Sequence, residues 1–155
     1  MGRKIIGVIG AGATDGETRL KAEETGRLIA RNGFLLVCGG LGGVMEAAAK
    51  GAKGAGGTTL GILPQADRQG ANPYIDISVV TGFGEGRNVI IVRTADLLIA
   101  VGGEYGTLSE IAFALKMGKP VIGIATWEIP GVRKAATPAE AVAMAQELLA
   151  GSQES

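Results

Sequence analysis

Six short apolar runs constrain this chain most: Lys4 to Ile9 (KIIGVI), Phe34 to Cys38 (FLLVC), Thr59 to Leu63 (TLGIL), Ile75 to Val80 (IDISVV), Leu97 to Val101 (LLIAV) and Pro120 to Ala125 (PVIGIA). They are continuous rather than alternating and rich in β-branched residues, the pattern of parallel strands covered on both faces. Helix-type segments lie between most of them, at residues 18–33, 44–53, 87–95 and 107–119, and a further one, 138–151, follows the last run. Strand and helix in alternation, with right-handed crossovers, predict an α/β fold: a doubly wound, mostly parallel, Rossmann-like sheet with helices on both faces. The connection 64–74, PQADRQGANPY, carries Pro, Gly and Asn and reads as a loop. At 155 residues, 46% of them hydrophobic, the chain has the core-forming capacity of one compact unit. We expect a single Rossmann-like domain over residues 1–150 and a disordered tail at 151–155.

Ligands of such sheets bind beyond the carboxyl ends of the strands, where the strand order reverses. The glycines collect at those ends. Gly10 and Gly12 follow the first run; Gly39, Gly40, Gly42 and Gly43 the second; Gly82, Gly84 and Gly86 the fourth; Gly102, Gly103 and Gly106 the fifth. A tight turn explains any one of these groups, but four at one edge point to a ligand approached closely by backbone.

Several chemistries are disfavoured. Fifteen basic and fifteen acidic residues cancel, leaving no excess positive charge for a nucleic-acid backbone. The chain contains no histidine and one cysteine, Cys38, so the usual zinc sites, Ser/His triads and internal disulfides are not expected, and no metal site is assigned. Cys38, at the end of a buried run, reads as a small core side chain. The apolar start is too short for a membrane span or a signal h-region, and Ile6 stands where a myristoylation motif needs Ser or Thr, so a cytoplasmic protein is expected. GAGATD supplies Gly10 and Gly12 of a dinucleotide fingerprint but Asp15 in place of its third glycine, and no acidic residue ends the second run. Gly118-Lys119 is followed by Pro120 and lacks the spacing of a Walker A loop.

Two loops remain as anion cradles. GGLGGVM, Gly39 to Met45, runs into a helix starting near Val44, whose N–H groups and dipole favour an anion. VGGEYGTLSE, Val101 to Glu110, leads into another, and here two readings stand: Thr107 and Glu110 form a capping box, or Glu110 is a carboxylate placed for chemistry. Arg87 follows the fourth run at the same edge, as a phosphate clamp, a counter-charge for Glu110, or a solvated surface residue. Tyr105 fits either a ring lying over a flat part of a ligand or an exposed interface tyrosine. Trp127 and Glu128 fit either the mouth of the site or packing of the last helix.

GGLGGVM and VGGEYGTLSE together resemble the paired motifs GGxxGxM and PGGxGTxxE of the LONELY GUY (LOG) phosphoribohydrolases, the "lysine decarboxylase-like" family. The resemblance spans most of the chain. It implies release of a base and ribose 5-phosphate from a nucleoside 5′-monophosphate, with Glu110 and Arg87 as catalytic residues. Gly103, Gly106 and Thr107 match the family's phosphate-binding turn, with Gly10, Gly12, Gly39, Gly40, Gly43, Met45 and Gly102 as further ligand-binding candidates. Two positions depart from the pattern: Val101 replaces the leading proline, and Asn88 replaces the lysine after the arginine. The stretch from Gly84 to Ile124 is similar to a bacterial and archaeal branch related to molybdenum-cofactor carrier proteins, which implies the alternative of a phosphorylated pterin held without turnover, or a nucleotide sensor. No obligatory cofactor is implied; molybdenum cofactor or a nucleotide is expected as ligand, in a homodimer or homotetramer.

Overall fold

The computed structural model describes residues 2–151. Seven strands form one parallel sheet in the order β4-β3-β2-β1-β5-β6-β7: β1 (Ile5–Ile9), β2 (Leu35–Cys38), β3 (Thr59–Leu63), β4 (Ile77–Val80), β5 (Leu97–Val101), β6 (Val121–Ile124) and β7 (Val132–Lys134). The order runs outward from β1 to β4 on one side and from β5 to β7 on the other, so it reverses between β1 and β5, paired as Ile6↔Leu97 through Ile9↔Ala100. Around the sheet lie α1 (Gly16–Arg31), α2 (Val44–Gly54), α3 (Arg87–Thr94), α4 (Tyr105–Lys116) and α5 (Pro138–Gly151).

The continuous apolar strands bury both faces, and β5 shows how. Leu97, Ile99 and Val101 point into one core, with Ala22 and Ile29 of α1, Ala48 of α2 and Ala145 of α5; Leu98 and Ala100 point into the other, with Ile91 of α3 and Ile111 of α4. Glycines bring α1 and α2 together. A β-carbon on Gly26 would overlap the Ala48 carbonyl, and one on Gly51 the Glu23 carbonyl, so this contact is backbone against backbone.

Beyond shifts of a residue or two at element ends, several details differ from the sequence reading. β4 starts at Ile77 rather than Ile75; just before it the Asp76 N–H still bonds Thr59 O (3.1 Å), while the Asp76 carboxylate accepts from the Thr59 N–H (2.9 Å) and meets Lys53 Nζ (2.8 Å). The edge strand β7, three residues with the sequence VRK, has no apolar run to mark it. α1 begins at Gly16 under an Asp15 cap whose carboxylate accepts from the Thr18 N–H at 2.7 Å. Gly151 completes α5, and 152–155, the remainder of the expected tail, lies outside the described residues. Among the described residues, no helix is long and apolar enough to cross a membrane.

Candidate functional site

A cleft of about 760 Å³ opens beyond the carboxyl ends of β1, β2 and β5, at the reversal of strand order. The ends of β1 and β2 supply Gly10, Gly12 and Gly39, α2 supplies Met45, the segment around α3 supplies Glu85, Arg87 and Asn88, and the first turns of α4 supply Tyr105, Gly106, Thr107 and Glu110. Arg87 and Glu110, 23 residues apart in sequence, therefore share one cleft.

Of the remaining candidate glycines, Gly40, Gly43, Gly102 and Gly103 lie behind this lining and shape it. Gly103, at φ +118°, leaves room for Thr107, whose Cβ would be 2.5 Å from a β-carbon there. A β-carbon on Gly40 would overlap Leu63, and one on Gly43 the Ala11 carbonyl. Gly102 turns the chain at φ +59°. Within the lining, Gly10 and Gly39 also serve packing: β-carbons on them would stand 2.6 Å from Val44 Cβ and 2.7 Å from Arg87 Nη2.

The capping box is not formed. The turn at Gly102 and Gly103 lets α4 begin at Tyr105, so Thr107 and Glu110 are its third and sixth residues, both buried. Glu104 occupies the cap position without a side-chain bond to the helix. Leu108 makes the first backbone bond of the helix, to Glu104 O, which leaves the N–H groups of Tyr105, Gly106 and Thr107 ahead of it. The opposite arrangement holds at α1, where the Asp15 carboxylate already occupies the helix start that a dinucleotide pyrophosphate would need.

Arg87 is not the solvated surface residue of one sequence reading. It is 9% exposed; Nη1 donates to Asn88 Oδ1, Nη2 lies 3.4 Å from Gly39 O and 3.9 Å from Met45 Sδ, and Nε is buried without an acceptor. Glu110 is 6% exposed. Its burial pushes the carboxyl up to about 8, with the Arg87 charge pulling the other way. The upward shift favours the neutral carboxyl, which adds less negative charge to repel an anion than an ordinary glutamate would.

Ser109 and Phe113, which the motifs do not mark, line the cleft too. The signal was present: 106, 109, 110 and 113 recur at the three- and four-residue spacing of one helix face. Trp127 takes neither suggested place. It packs on the face of the sheet opposite α5, and its ring is 6.0 Å from that of Tyr105.

The SLOG cluster4 family profile matches residues 3–150. The chain belongs to that family. It is 34% identical to the cytokinin riboside 5′-monophosphate phosphoribohydrolase of Mycobacterium tuberculosis over 76% of this chain and 67% of that protein. Among solved structures, this SLOG cluster4 protein resembles the molybdenum cofactor binding protein of the phototrophic bacterium Rippkaea orientalis with a TM-score of 0.91 and 39% identity, over 96% of this chain and 99% of that one. The Moco carrier protein of Chlamydomonas reinhardtii gives a TM-score of 0.88 and 40% identity over 96% and 99% of the two chains. The Rossmann-like parallel fold is common to them.

Proposed function

We propose that the cleft binds a phosphorylated, nucleotide-like ligand, with the phosphorylated pterin of molybdenum cofactor as the first candidate. The observation that carries this reading is the uncapped start of α4 opening into the same cleft as the buried Arg87. Free N–H groups at a helix N-terminus favour an oxyanion, and a guanidinium with an unpaired N–H gains a partner when one arrives. A volume of about 760 Å³ suits a ligand of that size. Similarity to carrier proteins over nearly their whole length supports binding as the primary role. In this reading the protein is cytoplasmic and assembles as a homodimer or homotetramer, for which the exposed Phe83, Phe113 and Ile77 offer apolar surface.

Hydrolysis is the second reading, favoured by the elevated Glu110. The N-glycosidic bond of a nucleoside 5′-monophosphate would break as the Glu110 proton passes to the departing base; water would add to C1′ and return its proton to the carboxylate. Arg87 would hold the phosphate or the departing base.

Melting curves with AMP, GMP and a molybdopterin extract, beside assays of ribose 5-phosphate release by wild type and Glu110→Gln, test both. A binder gains melting temperature by mass action. Release by wild type that is lost in a folded Glu110→Gln protein establishes the hydrolase; stabilisation without release establishes the carrier or sensor; the absence of both effects overturns the proposal.

A further inference from the structure

Tyr105 is the most exposed large ring among the described residues, at 81%, yet it is held in place from behind. Its ring stands 6.0 Å from that of Trp127, tilted by 32°, with the tyrosine also lining the cleft. Trp127 is anchored in turn. Its indole Nε1–H donates to Glu104 O at 3.1 Å, the carbonyl immediately before Tyr105, and Thr126 Oγ1 donates to Gly102 O. The segment after β6 therefore straps the start of α4 at two points.

This strap is bought with local backbone strain. Ala125 adopts φ +49°, the one positive-φ residue other than glycine among the described residues, and it turns the chain so that Thr126 and Trp127 face the α4 loop. Gly123 makes room beneath them: a β-carbon there would stand 2.5 Å from Thr126 Cγ2. A strained alanine beside a binding cleft is the kind of feature that persists when the geometry it produces has a use.

Tyr105 is also the first residue of α4, directly before the N–H groups of Gly106 and Thr107. An oxyanion on that helix start and a planar ring tethered to it would meet the cleft-side face of the tyrosine. We propose that Tyr105, braced by Trp127, is the specificity-determining platform of the cleft: it stacks the heteroaromatic ring of a purine- or pterin-type phosphate ester and separates such ligands from ringless sugar phosphates. This rests on the reading of the cleft as a phosphate-ligand site. Arg87, Glu110 and the helix start recognise the polar part, and Tyr105 the flat part.

The test is titration calorimetry of AMP and of ribose 5-phosphate against wild type, Tyr105→Ala and Tyr105→Phe. Trp127 is the only tryptophan of the sequence, so its emission reports changes at the ring pair it forms with Tyr105. Base–aromatic stacking predicts a loss of roughly 5- to 150-fold in AMP affinity in Tyr105→Ala, recovery in Tyr105→Phe, and unchanged ribose 5-phosphate affinity. AMP, but not ribose 5-phosphate, should change the Trp127 emission of the wild type. Undiminished AMP binding in Tyr105→Ala, or equal loss for both ligands, overturns the platform while leaving the phosphate site standing. Failure of the wild type to bind either ligand overturns the phosphate site and the platform with it.

Discussion

Arg87 donates through Nη1 to the side-chain oxygen of Asn88, the next residue, and both are 9% exposed in the wall of the cleft. The bond turns the guanidinium toward the end of β2, where Nη2 approaches Gly39 O and Met45 Sδ. Asn88 stands where the LOG motif has lysine, so this position supplies an acceptor to the arginine rather than a second cation. Removing the acceptor leaves Arg87 with two deficient donors, since Nε already has none. We expect Asn88→Ala to cost about 1–3 kcal/mol in urea unfolding and Asn88→Asp, which restores an acceptor, to cost less.

Glu110 couples stability to pH. Its carboxyl is held at about 8 in the fold against 4.5 in the ordinary state, so between those values the folded protein keeps a proton that the unfolded chain releases. Stability from this group is complete below about pH 4.5, falls as pH rises, and levels off above about 8. Melting temperature followed from pH 5 to 8.5 should drop for the wild type by roughly 5 °C or more relative to Glu110→Gln, which has no such proton to lose. A parallel pair of curves would show that the group titrates normally.

At the α1–α2 contact, alanine is expected to harm a helix it ordinarily favours. Propensity alone would gain about 1 kcal/mol for Gly→Ala. At Gly26 and Gly51 the added methyl instead meets the carbonyls of Ala48 and Glu23, backbone that cannot swing aside. Overpacking of this kind typically costs about 1–3 kcal/mol, and separation of two main chains places it at the upper end or beyond. Gly54, whose β-carbon would meet open space, is the control: Gly54→Ala should be neutral or stabilising by denaturant unfolding.

Cys38 should resist thiol reagents. Burial pushes its thiol up to about 11, with the Gly40 N–H and Arg87 charge pulling down, and the side chain is inaccessible at the end of β2. Reaction with a chromogenic disulfide is expected only at the rate of unfolding, and rapid labelling at neutral pH would show that the end of β2 opens locally.

The strands were legible because burial on both faces writes an unbroken apolar run; Thr59–Leu63 and Leu97–Val101 match the runs residue for residue. β7 was not legible, since a three-residue edge strand covered on neither face by much apolar surface leaves no such mark. In the cleft, Arg87 and Glu110 were legible through motif spacing, whereas the state of each depended on contacts from distant segments. The start of α4 was misplaced because Thr107-x-x-Glu110 has the local form of a capping box, while the two positive-φ glycines before it turn the chain early enough for Tyr105 to begin the helix. The tight roles of Gly26 and Gly51 had no local signature, because what requires them is another helix.

The pairing of β1 with β5 also sets a schedule. The Ile5 N–H donates to the Asp96 carboxylate across 91 residues of sequence, and Asp96 N–H returns a bond to Ile5 O at 2.8 Å. On a ribosome adding roughly 5–20 residues per second, the inner edge of β1 waits several seconds for its partner to be made. Strands β1 to β4 can align before then, but the floor of the cleft exists only once β5 is zipped against β1 and α4 has followed it. Joining β5 to β1 and following it with α4 creates the binding site, so a nascent chain halted before β5 would hold four of the seven strands and no receptor for its ligand.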